Sequence, residues 1–272
     1  MRIRLLPIVA LALGVLAVPA LAAAQYGARP ASDRATGENY HVEVGIAFWD
    51  PTPNIVISSE SLGIIGNDID FVTDLGIEKH QFHQFKVVLR PATKHKFRFE
   101  YTPIGYTSQA TLQRELIFNG QKFQIGIPVA TDLEWKAYRF GYEYDFVYRD
   151  RGFVGVLLEA KYTDVQATLS SPIDTEFTHA RAPIPAIGLI GRGYIVPNIS
   201  ITAEFSGFKL PDDINNKYAG KYYDFDLYGT VNFTDHLGAQ LGYRSFDVYY
   251  RVNHDSGTMT LKGPYFGGVA RF

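Results

Sequence analysis

The residues of this chain that could do chemistry are few and poorly spaced for it. Seven histidines are present. A nucleophile–base pair on one strand needs a spacing of two, which puts both side chains on the same face within hydrogen-bond reach. The expectation is that no histidine is paired with a serine in this way. His80 and His83 differ by three and point opposite ways in a strand, so they cannot chelate one ion together. His254 and Asp255 are adjacent, which throws their side chains to opposite faces. Asp68, Asp70 and Asp74 share one parity, and oxygen clusters suit Ca²⁺. The full ligand spacing and the glycine at the turn are missing, so a solvated acidic loop is expected there, and a plain turn at Asp212-Asp213. The reading is of a chain without enzyme activity, metal or cofactor.

A second chemistry is more pronounced. Lys86, Arg90, Lys96, Arg98, Arg139, Lys161, Arg244 and Arg271 fall on one parity of alternating segments. Glu43, Glu100, Glu143, Asp145, Glu159, Glu204, Asp224 and Asp226 fall on the same parity. Acids and bases in equal number suit mutual pairing across a narrow space, whereas a wide channel often carries a ring of one sign.

The elements that would hold these charges read as strands. Tyr40, Val42, Val44, Ile46 and Phe48 alternate with His41, Glu43, Gly45 and Ala47. The same period of two recurs at 84–90, 96–101, 138–146, 154–163, 199–205, 223–233 and 237–244. Four tight connections, Pro91–Lys94, Arg149–Gly152, Val196–Asn198 and Thr234–His236, separate longer excursions. One excursion turns at Asn119-Gly120, a pair suited to a type I′ hairpin. The apolar parity slips by one at Leu133–Tyr138 and at Tyr243–Phe246, where bulges are expected. Residues 179–193 show no parity. The sum is an all-β, antiparallel up-and-down transmembrane barrel of ten strands, with eight as the alternative.

Composition agrees. Eighteen Tyr and nineteen Phe accompany two Met and no Cys. Phe97, Phe99, Tyr144, Phe146, Phe233 and Phe272 crowd the strand ends at the tight turns, as an interfacial girdle would. A soluble secreted ligand-binding barrel would show the same alternation with its apolar face inward. The first 24 residues read as a signal peptide: Arg2 and Arg4, an apolar run to Val18, then Ala22-Ala23-Ala24. Residues 25–39 read as a linker and 40–272 as the barrel. Net charge is −2, and −4 once the segment carrying Arg2 and Arg4 is removed, which excludes a basic nucleic-acid footprint.

The chain ends on Phe272, with Ala270, Gly268 and Phe266 on the same parity. This tail resembles the last strand of Gram-negative outer-membrane proteins, and the whole pattern is similar in general character to the small OmpA- and OmpW-like barrels. The resemblance implies that the barrel-assembly machinery reads Phe266, Gly268, Ala270 and Phe272. It also implies a monomer in contact with outer-membrane lipids, with both mature termini periplasmic. Its role would be structural or adhesive, or the passage of a small solute, through long outer loops. Omptin proteases are barrels of this size, but their Asp-x-His is absent here. A rim hydrolase acting on lipid A or phospholipid is the other alternative.

Overall fold

A computed structural model of the chain describes residues 34–59, 64, 66–172, 175–210, 218–252 and 255–272. The expected signal peptide, residues 25–33 of the expected linker, Asp212-Asp213 and His254 lie outside the described residues. The strands are β1 Val42–Trp49, β2 Thr52–Ser58, β3 Ile69–Asp70, β4 Phe82–Ala92, β5 His95–Thr111, β6 Leu116–Phe118 and β7 Gln121–Phe123. They continue with β8 Pro128–Arg149, β9 Gly152–Ser170, β10 Thr175–Val196, β11 Ile199–Lys209, β12 Tyr218–Asn232, β13 Leu237–Val252 and β14 Asp255–Arg271.

Ten of them form a closed antiparallel ring, in the order β1-β4-β5-β8-β9-β10-β11-β12-β13-β14, and β1 pairs with β14 to close it. Closure leaves no sheet edge inside a bilayer, where an unpaired backbone group has no water to turn to. The four tight connections all lie at one end of the ring, the turn end. The tail is used to its last residue: the Phe272 N–H donates to the Val42 carbonyl at 2.8 Å and the Val42 N–H to the Phe272 carbonyl at 2.9 Å.

β2, β3, β6 and β7 lie at the opposite, loop end. β1 stops at Asp50-Pro51, since proline cannot donate to the ladder. The chain then resumes as β2 on β14, from Thr52↔Lys262 to Ser58↔Ser256. The crossing needs Gly263, because a Cβ there would lie 2.2 Å from the Asp50 carbonyl oxygen. β6 and β7 form the Asn119-Gly120 hairpin, with φ of 50° and 81° at its two central residues, the positive values that a type I′ turn requires.

The slips of parity in the sequence are not bulges. Register runs unbroken through Leu133–Tyr138 in β8 and Tyr243–Phe246 in β13. What changes there is the chemistry assigned to each face. Tyr101, Tyr138 and Tyr162 stand directly opposite one another on β5, β8 and β9 and point outward. Toward the turn end from this row, Phe97, Phe140, Leu158 and Phe146 face outward, with Arg98, Arg139, Glu159 and Asp145 inward. Toward the loop end, Asp132, Glu134, Lys136 and Gln166 face outward, and Leu133, Trp135 and Ala167 are buried within. The period of two never breaks; lipid is the medium suited to the wall on one side of the row and water on the other. The register shifts that do occur, at Leu89/Ala92, Asp145/Val147 and Tyr194/Val196, all adjoin tight turns.

Two further readings change. Residues 179–193 do carry a parity: Ile190, Arg192 and Tyr194 are buried while Ile187, Leu189 and Ile195 are exposed. Pro183 and Pro185 obscure it. They sit where β10 has run past the end of β11, whose ladder stops at Ile187↔Gly207, so no hydrogen bond to that neighbour is lost. Tyr40, grouped by alternation with Val42 and Val44, is instead buried between the guanidiniums of Arg90 and Arg271. β1 begins only at Val42, so its alternation does not extend to Tyr40.

An apolar core fills the loop end. Ile55, Ile57, Ile104, Leu133, Trp135 and Phe246 meet Phe71, Leu75 and Ile77 from the segment after β3, and Leu116, Phe118 and Phe123 from the hairpin. Each such side chain contributes about 1.5–3 kcal/mol on full burial. The roof is tied together by polar contacts. Arg114 donates to the Asp74 carboxylate, and Asn67 exchanges backbone and side-chain bonds with Ile117. The Asn119 amide reaches Glu176 on β10 at 3.0 Å.

Candidate functional site

The lumen between the turn end and the tyrosine row is filled by paired charges. Alternation turns every second residue inward, and strand pairing sets several acids against bases. Lys96 is opposite Glu143, Glu100 opposite Arg139, and Glu43 opposite Arg271. Some pairs stay between neighbours: Lys96 lies 2.6 Å from Glu143 and 2.9 Å from Asp145. Others cross the ring. Arg98 on β5 reaches Glu143 at 2.7 Å and Glu204 on β11 at 2.6 Å. Arg139 bonds Glu159 and also approaches Glu204 at 3.3 Å and Asp224 on β12 at 3.7 Å. Arg244 joins Glu100 to Asp224, and Lys161 lies 3.0 Å from Asp224. Lys86 on β4 reaches Glu204 across the ring at 3.3 Å. Asp226 accepts from the Tyr265 hydroxyl at 2.9 Å.

Most of these charges are buried, and a buried ion is tolerated only where partners satisfy it. Tyrosines complete the set: the Tyr228 hydroxyl donates to Glu204 at 2.9 Å, and the Lys161 ammonium lies 4.2 Å from the centroid of the Tyr222 ring. Where charge gives way to the apolar core there is a cavity of about 20 Å³, room for one water. Glu100, Arg139 and Arg244 line it on one side, Trp49, Ile104 and Phe246 on the other.

Arg90 and Arg271 serve the turn end. Arg90 donates to the carbonyls of Thr93 and Glu38. Glu38 and Arg192, 2.8 Å apart, were not among the residues expected in the lumen. Glu38 precedes the first strand, and Arg192 sits in the Pro/Gly-rich stretch whose parity the prolines hid. The outward residues of the tail lie as the alternation sets them, Phe266 and Phe272 exposed, with Phe266 stacked on Phe48 at 5.2 Å.

The scattered histidines and aspartates do other work. Asp70 accepts from the N–H groups of Val72 and Thr73, and Asp74 from Arg114, so these oxygens hold the roof. His179 lies 2.6 Å from Asp164 on the outer wall. Among the described residues no group of three or more His, Asp or Glu is placed to hold a metal ion. One nucleophile–base spacing does exist in the sequence, contrary to expectation: His254 and Ser256 are two apart, at the connection between β13 and β14. Ser256 pairs in register with Ser58 and Arg251, and His254 is outside the described residues.

No family model matches the sequence, and no curated protein matches it. Among solved structures, the outer membrane protease OmpT from Escherichia coli is similar, with a TM-score of 0.58 at 10% identity over 88% of this chain and 98% of that one. Ail, the attachment invasion locus protein of Yersinia pestis, gives 0.37 at 13% identity over 85% and 99%. The P. putida toluene transporter TodX gives 0.35 at 8% over 89% and 94%. At such identities the likeness is one of fold. With its ten-stranded closed ring, outward apolar belt and sorted turns and loops, the chain has the fold of the outer-membrane β-barrels.

Proposed function

We propose that this protein is an outer-membrane barrel whose lumen is shut by its own side chains, and that it works through the surface of its loop end. In this reading the turn end and both termini face the periplasm, and the walls above the tyrosine row stand outside the cell as a structural or adhesive surface. The observation that carries it is the crossing of the lumen by paired charges, Arg98 to Glu204 and Arg139 to Asp224, beneath a packed aromatic core. A conducting pore needs a continuous wet path, and the paired charges and the packed core among the described residues both work against one. Residues 1–24 as an export signal, and recognition of the Phe266–Phe272 strand by the assembly machinery, belong to the same reading.

Planar-bilayer conductance of the refolded full-length protein tests it. The wild type should show no steady current, and Arg98→Ser with Arg139→Ser should let cations leak through the charged layer only if the apolar core is also breached. Steady wild-type current would replace this reading with passage of a small solute. A second reading rests on His254 and Ser256: hydrolysis of a lipid ester at the rim. Release of fatty acid from mixed micelles by the wild type, abolished in Ser256→Ala, would establish it.

A further inference from the structure

Three tight turns of the barrel bond directly to one six-residue segment, Ala35–Tyr40, and the fourth is joined to it through Arg90. The Ala35 N–H donates to the Asp150 carbonyl at 3.4 Å, in the β8–β9 turn, and the Thr36 N–H to the Pro197 carbonyl at 2.7 Å, in the β10–β11 turn. The Gly37 N–H donates to the Asp235 carboxylate at 3.0 Å, in the β12–β13 turn. In the β4–β5 turn, Arg90 donates to the Thr93 carbonyl at 3.0 Å and also to the carbonyl of Glu38. The Glu38 side chain enters the lumen, where Arg192 donates to it at 2.8 Å and the Tyr194 hydroxyl at 2.7 Å.

The same segment touches the seam of the ring. Arg271, the penultimate residue, is fully buried and faces Glu43 across the β1–β14 pairing. It donates to the Glu43 carboxylate at 2.6 Å and to the Asn232 amide oxygen at 2.7 Å. The Asn232 amide nitrogen in turn donates to the Thr36 carbonyl at 2.6 Å. Gly37, at φ +82°, lies so close that a Cβ would be 2.6 Å from the Arg271 guanidinium.

We propose that Ala35–Tyr40 is a latch that docks only on a closed ring and then holds the β1–β14 seam shut through Arg271. The segment runs directly into β1, one edge of the unrolled sheet, while its partners lie on β14, the other edge, on β10 and β12 and at the turns, so only closure brings them together. Ordering the backbone costs about 1–2 kcal/mol per residue, and a single hydrogen bond returns about 1 kcal/mol net. No one turn can hold the segment; the full set can. Coupling of this kind is reciprocal, so loosening the latch must loosen the seam. The last strand then has two roles on its two faces: outward residues for the bilayer, inward Arg271 for the lock.

The chain has no cysteine, so one introduced at position 35 reports alone. In the refolded full-length protein carrying Ala35→Cys, maleimide labelling should be slow, and about tenfold faster when Arg271→Gln or Glu38→Gln is added. Conversely, Glu38→Gln should speed hydrogen exchange along β1 and the paired part of β14 while leaving β8 and β9 unchanged. A merely general loss of stability would raise exchange evenly round the ring. Unchanged labelling with Arg271→Gln, or even exchange with Glu38→Gln, overturns the proposal. Should Arg271→Gln fail to refold, Asn232→Ala removes only the link between Arg271 and Thr36. It is expected to speed labelling, and unchanged labelling there overturns the latch as well.

Discussion

On either side of Tyr138 one strand obeys opposite rules. From Arg139 to Asp145, β8 turns charge inward and Phe140, Tyr144 and Phe146 outward; from Leu133 to Ala137 it turns apolar side chains inward and Glu134 and Lys136 outward. The sheet fixes only that faces alternate. Which face is apolar is decided by the medium outside, and the interior takes the complement. The two halves are therefore sealed by different forces. The charged half relies on pairing to offset desolvation, the apolar half on exclusion of water and close packing.

The sharpest break of that comparison is Arg139→Ala. It leaves Glu159 with Lys161 alone, 3.4 Å away, and weakens the hold on Glu100, Glu204 and Asp224, and should lower stability by about 3–5 kcal/mol, read from chemical unfolding of the refolded protein. A loss under about 1 kcal/mol would mean that water, not Arg139, satisfies those carboxylates. Leu133→Ala, six positions away on the same face, tests the other half. Its cost should be about 2–5 kcal/mol through a cavity, with hydrogen exchange raised at the loop end and unchanged in the charged half. Equal exchange in both halves would show one cooperative unit instead of two.

The smallest effect is expected at the roof. Hydrogen bonds from Arg114 hold the Asp74 carboxyl below its ordinary value, outweighing partial burial. A carboxylate held low in the folded state adds stability above its unfolded pKa of about 3.9, and loses it as pH falls through the lower folded value. Solvent screening keeps the contribution under about 1 kcal/mol. Protease access to the Asn119 hairpin should therefore rise below about pH 4, and Asp74→Asn should remove that dependence. A hairpin whose access is the same at pH 3 and pH 7 would show that its apolar anchors alone hold it.

Much of the ring was legible because alternation is a local signal. The four tight turns, the Asn119-Gly120 hairpin and the inward charges follow from a period of two and turn chemistry. What escaped was non-local. Phe246 and Trp135 read as slips because each breaks the apolar parity of its strand, whereas their rings lie 4.8 Å apart inside the core. Arg192 was hidden by Pro183 and Pro185, whose tolerance depends on β11 being short. Glu38 carried no periodic signal; its place depends on turns up to nearly two hundred residues away. In the sequence the equal acids and bases announce pairing, but Arg98 finds Glu204, 106 residues on, only through the curvature of the ring.

The row of Tyr101, Tyr138 and Tyr162 also bears on how such a chain can drift. Toward the loop end from it, Asp132, Glu134, Gln166 and Lys136 are exposed, while the residues between them on β8, and Ala167 beside Gln166, carry the core. Heritable variation can accumulate on every second residue of a rigid wall without touching what keeps it standing. A surface of this kind can change its chemistry and keep its skeleton, a freedom usually credited to loops.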